Sequence, residues 1–227
     1  MLKNVFDFFI VKISDEWGVS YAPTTAGNIA VFLLIVLLFL AMASFSGRNK
    51  KLKVKQLVFA AMAMTLAVVT SFIKLPSLPQ GGSITLFRMF FIALIGYLYG
   101  ARIGVLTGIA YGFLDLILGP YVVGPVQLLI DYPIAFGSLG LAGVFSNSKY
   151  GIIKGYILGV FGRYICHVIS GIIYFGSNAG AGSSTVIYSL GYNASYIVPE
   201  AIATIVILSV PQIRKALTQV KKMANES

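Results

Sequence analysis

The stretch GPVQLLIDYPIAF, residues 124–136, decides how the rest of the chain is interpreted. It begins as an apolar helix and then places Asp131 beside Tyr132, with apolar residues on both sides. A charged side chain at the middle of a bilayer costs ~3 kcal/mol on insertion scales, so it normally faces a cavity or a partner. A cation is the natural partner, and Tyr132 offers that cation a π face. Two other interpretations stay open: Asp131 lies at the watery end of its helix, or it pairs with Arg88 or Arg163.

The composition is that of a polytopic membrane protein. Hydrophobic residues make up 58% and charged residues 11% of the chain, and the mean hydropathy is +0.88. A soluble domain is about half apolar and about a quarter charged. Alternating short amphipathic segments are absent, which favours a helical bundle over a barrel. The net charge of +10 does not indicate nucleic-acid binding, because the basic residues lie mainly in short loops and at the C-terminus, where membrane topology explains them.

Seven apolar segments have the length and character of membrane spans. The first, Gly27–Phe45, is followed at once by a basic cluster over residues 48–55. The sequence therefore predicts an all-α integral membrane protein with seven spanning helices. The six segments after the first are expected at residues 56–73, 84–99, 103–118, 125–145, 155–175 and 190–210.

The chain divides into three regions by composition. Residues 1–55 form an N-terminal extension with the extra helix and the basic loop, residues 56–213 form the membrane domain, and residues 214–227 form a basic cytoplasmic tail. Near the N-terminus, apolar residues at a helical spacing predict an interfacial helix. Its apolar side would consist of Val5, Phe8, Phe9 and Val11 or Ile13.

The distribution of basic residues predicts the orientation in the membrane. The loops and tail assigned to one side of the membrane hold twelve basic residues, at 48–55, 102, 149–154 and 214–222. The segments assigned to the other side hold only three. Because basic residues accumulate on the cytoplasmic side, the N-terminus is expected outside and the C-terminus inside. The three exceptions are Lys3, Lys12 and Lys74.

Small residues mark two close helix contacts. Ala63 and Ala67 share one helix face, where another helix of this chain or of a second protein could approach closely. Gly104, Gly108 and Gly112 form a stripe that indicates the same kind of packing. Asp115 lies one helical step beyond the stripe and suits a packing or hydrogen-bonding role as well as contact with a ligand.

On the predicted topology, several polar and aromatic residues share the outer end of the bundle. Asp131 and His167 fall at similar depth, about two turns from that end. One carboxylate, several tyrosines, an imidazole and an amide offer no activated nucleophile, but they suit the binding of a small aromatic cation. The residues concerned are those of the loop 79–83 and Tyr121, Asp131, Tyr132, His167, Phe175, Tyr188, Tyr192 and Asn193.

Three stretches resemble the thiamine-specific substrate-binding subunits of energy-coupling factor (ECF) transporters, the ThiT family. They read PVQLLIDYPIAFGSLGLAGVFS (125–146), RYICHVISGIIYFGS (163–177) and YSLGYNASY (188–196). The pattern His-x-x-x-Gly at 167–171, with Tyr188 and Asn193 five apart, is specific to the thiamine branch. The resemblance covers residues 56–213.

The resemblance implies a function, partners and a site. It implies a six-helix bundle in a bacterial cell membrane that binds thiamine from outside with high affinity. It also implies a membrane-embedded coupling subunit and two cytoplasmic ATPase subunits, which use the ATP, and a docking motif at Ala63 and Ala67. The implied ligand-binding residues are Tyr121, Asp131, Tyr132, His167, Gly171, Phe175, Tyr188 and Asn193.

The chain departs from the family pattern at three places in the implied site. Asp131 stands where glutamate is usual, and Phe175 stands where tryptophan is familiar. The loop PQGGS, residues 79–83, lacks the tryptophan of the family loop. Each change alters the expected fit of the ligand, since the acid is one methylene shorter and the aromatic walls are smaller.

Other functions remain possible from the sequence alone. The chain could be a subunit of the same class for a related vitamin or a thiamine precursor, or an intramembrane enzyme that uses Asp115 and Asp131. We expect no enzyme, because no nucleophile accompanies the acids and no nucleotide-binding motif of the type G-x-x-x-x-G-K-[ST] occurs. We expect no resident cofactor and no metal, since one histidine and one cysteine supply too few ligands.

Overall fold

The computed structural model of the chain describes residues 8–15, 18–27, 29–30, 33, 53–73, 78, 81–179 and 184–226. The predicted first span, residues 27–45, lies outside this part of the chain except at residues 27, 29–30 and 33. The basic cluster is described only from residue 53 onward, and the loop 74–83 only at residues 78 and 81–83.

The N-terminal region contains a β-hairpin where a helix was expected. Strand β1, Ile10–Asp15, pairs antiparallel with strand β2, Gly18–Pro23, and Asp15 lies opposite Gly18. The prediction of an interfacial helix through Val11 or Ile13 is therefore wrong. The β-branched residues of this segment favour a strand, and a second strand two residues further along supplies the backbone partners that a lone strand would lack.

In the described part of the membrane domain there are six long helical segments, and all six agree with the sequence prediction to within a few residues. Five are long and apolar enough to cross a membrane, while the second is apolar but has only 12 residues. The all-α class of the bundle is thus confirmed. The segments are α1 (Val54–Ser71), α2 (Arg88–Tyr99), α3 (Ala101–Leu118), α4 (residues 125–145), α5 (Gly151–Tyr174) and α6 (Thr185–Ser209).

Helix α2 begins at Arg88, four residues later than predicted, and a carboxylate from α6 binds the residues at its start. The carboxylate of Glu200, on α6, accepts hydrogen bonds from the Thr85 hydroxyl (2.7 Å) and from the backbone N–H of Met89 (2.9 Å). Phe87, before the first residue of α2, has φ of +61° and provides no side-chain cap. Glu200 therefore does from a distant helix what an N-cap residue usually does locally.

Helix α4 is irregular around Asp131 and Tyr132. It is α-helical over Pro125–Leu129, widens to a π-helical turn over Ile130–Ile134, and then continues as α-helix and 3₁₀-helix to Phe145. Pro133 lies in the wide turn and has no N–H to donate to a regular helical hydrogen bond. Single π-helical turns occur frequently at functional sites.

The predicted glycine stripe brings α3 against α4 directly behind that turn. A Cβ atom on Gly108 would lie 2.2 Å from the carbonyl oxygen of Phe136, and one on Gly112 would lie 2.5 Å from the carbonyl oxygen of Tyr132. Neither position has room for a side chain. The close approach therefore requires glycine, and it fixes the position of the turn that carries the acid.

The basic tail forms a seventh helix, which the sequence interpretation did not predict. Helix α7, Pro211–Asn225, lies against the end of the bundle where α2 ends and α5 begins. The Asn225 side chain donates to the carbonyl oxygen of Leu98 (3.1 Å), and the Lys55 ammonium donates to the carbonyl oxygen of Glu226 (3.0 Å). These contacts attach the tail to α1 and α2.

Candidate ligand-binding site

Two adjoining cavities lie at the other end of the bundle, which we call the cavity end. It is formed by the C-terminal ends of α1, α3 and α5 and the N-terminal ends of α2, α4 and α6. The larger cavity has a volume of about 140 Å³ and the smaller about 40 Å³. At roughly 10–15 Å³ per water molecule, they would hold about ten and about three waters. Both are lined by Asp131, His167, Phe175 and Tyr196.

Asp131 lies on the wall that the two cavities share and joins α4 to α5. Its Oδ2 accepts hydrogen bonds from the side chains of Gln127 (2.6 Å) and Ser170 (2.8 Å). Its Oδ1 lies 3.1 Å from Nδ1 of His167 but accepts no hydrogen bond of regular geometry from the described residues. Only 9% of the residue is exposed, so the interpretation of Asp131 as an acid at the watery end of its helix is wrong.

Neither arginine considered as a partner of Asp131 forms an ion pair with it. Arg88 binds Asp115 instead, with Nη1 3.0 Å from Oδ1 and 3.3 Å from Oδ2. Arg163 is 4% exposed, and its guanidinium lies 3.9 Å from the centre of the Phe136 ring. Its Nε and Nη1 are buried and have no hydrogen-bond partner among the described residues. Asp131 is thereby left as a buried acid beside a histidine rather than beside a cation.

His167 completes the shared wall, as its predicted depth indicated. Nδ1 is directed at Asp131, and Nε2 is buried without a hydrogen-bond partner among the described residues. The ring lies edge-on to Tyr196, with 6.1 Å between ring centres. A buried imidazole nitrogen without a partner is costly, unless a ligand supplies the missing hydrogen bond.

Aromatic side chains form the remaining walls in two pairs. Tyr121 and Phe175 are 6.0 Å apart between ring centres and border the larger cavity. Tyr188 and Tyr192 are stacked at 6.1 Å and border the smaller one. Flat, electron-rich walls on both sides suit a ligand that contains aromatic or cationic rings.

Tyr132 contributes its ring to the larger cavity and also positions Tyr121. The buried phenol oxygen of Tyr132 accepts a hydrogen bond of 2.7 Å from the backbone N–H of Tyr121. The loop before α4 is thus fixed to the wide turn of α4. Tyr132 thus orients Tyr121, and both belong to the predicted ligand residues.

Two glycines hold the loop of residues 81–83 against these walls. Gly81 has φ of +83°, and a Cβ atom there would lie 2.8 Å from Cβ of Tyr121. The N–H of Gly82 donates to the hydroxyl of Tyr192 (3.1 Å), and a Cβ atom on Gly82 would lie 2.6 Å from that oxygen. The loop lacks a tryptophan, but its residues 81–83 line the larger cavity.

Gly171 and Asn193 lie in the smaller cavity at the contact of α5 with α6. A Cβ atom on Gly171 would lie 2.1 Å from Oγ of Ser189, so this glycine permits the close approach of the two helices. The Asn193 amide donates to the carbonyl oxygens of Ser189 (2.9 Å) and His167 (3.1 Å), and its Oδ1 accepts from the Tyr196 hydroxyl (2.6 Å). In this arrangement the Asn193 amide nitrogen joins α6 to α5, while its amide oxygen binds Tyr196 within α6.

The predicted ligand residues all border one of the two cavities. Further residues outside that predicted set also line them. Most of these are polar or charged residues within apolar segments, which are functional candidates by default. The added residues are Arg88, Asp115, Gln127, Arg163, Ser170, Ser189 and Tyr196.

The predicted docking residues lie inside the bundle rather than on its surface. Ala63 is 5% and Ala67 is 0% exposed, on the face of α1 that packs against α2. The neighbouring Ala61 is exposed. The docking role stays a prediction.

In the described part of the chain, no group of three or more histidine, cysteine or acidic residues could hold a metal ion.

Comparisons with known proteins assign the chain to a family. A family model described as "Thiamine transporter protein (Thia_YuaJ)" matches residues 57–220. "Thiamine transporter ThiT" of Bacillus subtilis (strain 168) is 35% identical over 165 residues, which cover 66% of this chain and 84% of the relative. ThiT of Lacticaseibacillus paracasei is 34% identical over 121 residues, covering 46% and 60%. The structure of ThiT from Listeria monocytogenes superposes with a TM-score of 0.58 over 69% of this chain and 94% of that one; its 24% identity makes it evidence for the fold.

Proposed function

The chain belongs to the thiamine transporter protein family, and we propose that it is the membrane subunit that captures thiamine for import. It binds the vitamin in the two cavities that share Asp131 and His167. It has no catalytic role, since the family consists of transporters. The observation that carries the proposal is the buried carboxylate of Asp131, which has no cationic partner among the described residues.

The buried charges inside the bundle support a ligand with one positive charge. Two arginines, Arg88 and Arg163, lie among three carboxylates, those of Asp115, Asp131 and Glu200. With the carboxylates ionised, this set carries one net negative charge. Thiamine carries one fixed positive charge on its thiazolium ring, so the complex would be neutral. Neutrality matters here because an unpaired charge in a low-dielectric interior costs several kcal/mol.

The two aromatic pairs and the shared wall between the cavities suggest how thiamine is oriented in the site. The thiazolium ring meets Asp131 on the shared wall and lies near the Tyr121–Phe175 pair, which offers π faces to a cation. The aminopyrimidine ring enters the smaller cavity, where Tyr188 and Tyr192 present flat surfaces. Nε2 of His167 then gains the hydrogen-bond partner that it lacks among the described residues.

Orientation and partners complete the proposal. Basic residues gather at the end opposite the cavities, at Lys53, Lys55, Arg102, Lys149 and Lys154 and on α7, so that end faces the cytoplasm and the cavities face outward. The N-terminus is outside and the C-terminus inside a bacterial cell membrane. A membrane-embedded coupling subunit and two cytoplasmic ATPase subunits, which the sequence resemblance implies, move the captured vitamin inward.

Titration calorimetry on the purified full chain tests the ligand. We expect thiamine to bind at least about 100-fold more tightly than either its hydroxymethylpyrimidine precursor or its thiazole precursor, because only the whole molecule meets both cavities and supplies the charge. Tighter binding of a precursor would favour the related subunit for a thiamine fragment. Absence of binding to all three would contradict the proposal.

Transport assays test the docking role of α1. Ala63→Leu is expected to reduce uptake in cells that contain the coupling and ATPase subunits while thiamine still binds, because the close helix approach is lost. Ala61→Leu, on the exposed face of the same helix, is the matched control. Equal uptake by the parent and both variants would contradict docking at Ala63, and loss of thiamine binding by Ala63→Leu would assign that residue to packing within the bundle.

A further inference from the structure

A second recess lies at the end of the bundle opposite the cavities. It is an open groove of about 780 Å³ between the turn that follows α4 and the amphipathic helix α7. Four basic side chains line it, and no acidic side chain is among its lining residues. The four are Lys149, Arg214, Lys215 and Lys221.

Contacts with neighbouring groups hold three of these cations along the groove. Lys221 donates to the carbonyl oxygen of Ser146 and to Oδ1 of Asn147 (3.3 Å), and its ammonium lies 4.6 Å from the centre of the Tyr97 ring. Lys149 and Arg214 lie 5.4 and 4.7 Å from the centre of the Tyr150 ring. These contacts orient the positive charges without neutralising them.

The positive charge in the groove has no acidic counterpart nearby in the described part of the chain. Helix α7 carries basic residues and no aspartate or glutamate between Pro211 and Asn225. Neither of the two ion pairs among the described residues involves a residue of the groove. Nε of Arg214 is buried and has no hydrogen-bond partner in the part of the chain that the structure describes, and burial lowers the pKa of Lys221 below its ordinary value. A bound anion would offset these costs.

The surroundings of the groove distinguish between kinds of anion. Large apolar side chains are exposed next to it: Val144 at 60%, Val210 at 41% and Ile213 at 37%. They continue the apolar surface of the membrane-spanning helices. Cations that adjoin such a surface, at the level where a span ends, fit a molecule with an anionic head and apolar tails.

We propose that the groove between the turn after α4 and helix α7 binds the phosphate headgroup of an anionic phospholipid. The lipid phosphate lies among Lys149, Arg214 and Lys215, and its acyl chains lie along the exposed apolar residues. This site is separate from the thiamine cavities and depends only on the membrane assignment. Bound lipid holds α7 against the bundle and so fixes the end of the protein that faces the cytoplasm.

Lipid titration of the full chain in detergent, followed by native mass spectrometry, tests the proposal. Phosphatidylglycerol is expected to bind with a defined stoichiometry and to raise the unfolding temperature, whereas phosphatidylcholine does neither. Lys215→Gln should weaken phosphatidylglycerol binding about fivefold, since a basic residue contributes about 1 kcal/mol near an anionic surface. Lys222→Gln is the matched control, because Lys222 is exposed on the same helix but does not line the groove.

The outcomes separate a specific lipid site from its alternatives. Equal weakening by Lys215→Gln and Lys222→Gln would show general attraction to a basic helix and would overturn the proposal. So would glycerol phosphate that protects the protein as well as the lipid does, since this would indicate a site for a free anion. Binding of the isolated coupling subunit that depends on Lys215, without any effect of phosphatidylglycerol, would assign the groove to a protein partner instead. Thiamine binding should be unchanged in both variants.

Discussion

The two ends of the bundle use charged residues in opposite ways. At the cavity end, arginines and carboxylates lie inside the protein, where Arg88 meets Asp115 at 3.0 Å and Asp131 accepts two side-chain hydrogen bonds. At the other end, basic residues lie on α7 and the adjoining turns, and no acidic residue lines the groove between them. A buried charge depends on the geometry of a few partners, whereas an exposed one depends mainly on the side of the membrane. Substitutions should therefore have large, specific effects at one end and small effects at the other.

The largest effect on stability is expected where α3 supports the turn that carries Asp131. Gly112→Ala places a methyl group against the carbonyl of Tyr132, at 2.5 Å, and backbone must move to admit it. We expect a loss of about 1–3 kcal/mol of stability, measured as a lower unfolding temperature, together with weaker thiamine binding. Gly119→Ala, just beyond the same helix, meets nothing within 4 Å and is the control. Equal unfolding temperatures for the two variants would contradict the close helix contact.

A second substitution examines the buried acid that caps α2. Glu200→Gln keeps a carbonyl oxygen that accepts from the Met89 N–H, but its amide N–H₂ group then donates to Thr85, whose hydroxyl proton loses its acceptor. Because a buried donor left unsatisfied costs ~1–3 kcal/mol, we expect a lower unfolding temperature of the purified protein. Glu226→Gln, on an exposed acid after α7, should leave it unchanged. If both variants have the same unfolding temperature as the parent, Glu200 does not cap helix α2.

The imidazole on the shared wall should matter less than the carboxylate. His167→Ala removes the ring beside Asp131 and its Nε2, which has no hydrogen-bond partner among the described residues. A neutral hydrogen bond contributes ~0.5–1.5 kcal/mol, so calorimetry should show thiamine affinity reduced about three- to tenfold. A loss beyond about 100-fold would mean that His167, rather than Asp131, carries the main interaction.

The smallest effect is expected at the basic end. Lys154→Gln removes an exposed charge near the start of α5, and surface substitutions of this kind usually change stability by less than about 0.5 kcal/mol. Thiamine affinity and unfolding temperature should both match the parent. A clear fall in thiamine affinity or in unfolding temperature would show that the two ends are coupled, and it would contradict the difference proposed between them.

The helices of the bundle were predictable because a membrane imposes one strong requirement on the sequence. A span needs a long apolar run, and six such runs between residues 56 and 210 correspond to α1–α6. The hairpin of β1 and β2 and the helix α7 were not predicted, because neither crosses a membrane. In a short region of mixed polarity, strand and helix patterns overlap, and the strand pairing that decides between them is a contact between segments.

The sequence predicted residues that line the two cavities, but it did not predict how they are arranged. Asp131 and His167 stood out as polar residues at matching depth, and the structure places them 3.1 Å apart. The roles of Asn193 and Arg163 could not be predicted, because they depend on distances between helices. The amide nitrogen of Asn193 joins α6 to α5 by donating to the carbonyl oxygen of His167, and Arg163 lies over the Phe136 ring instead of pairing with an acid.

The central claim is that Asp131 recognises the positive charge of thiamine, and a calorimetric double-mutant cycle tests it most directly. The parent and Asp131→Asn are each titrated with thiamine and with an analogue of the same shape in which an uncharged ring replaces the thiazolium ring. We expect Asp131→Asn to bind thiamine at least about 100-fold more weakly, in keeping with ~3–5 kcal/mol for a broken buried charge pair, and to bind the uncharged analogue about as well as the parent does. Equal losses for both ligands, or no loss for thiamine, would contradict the claim.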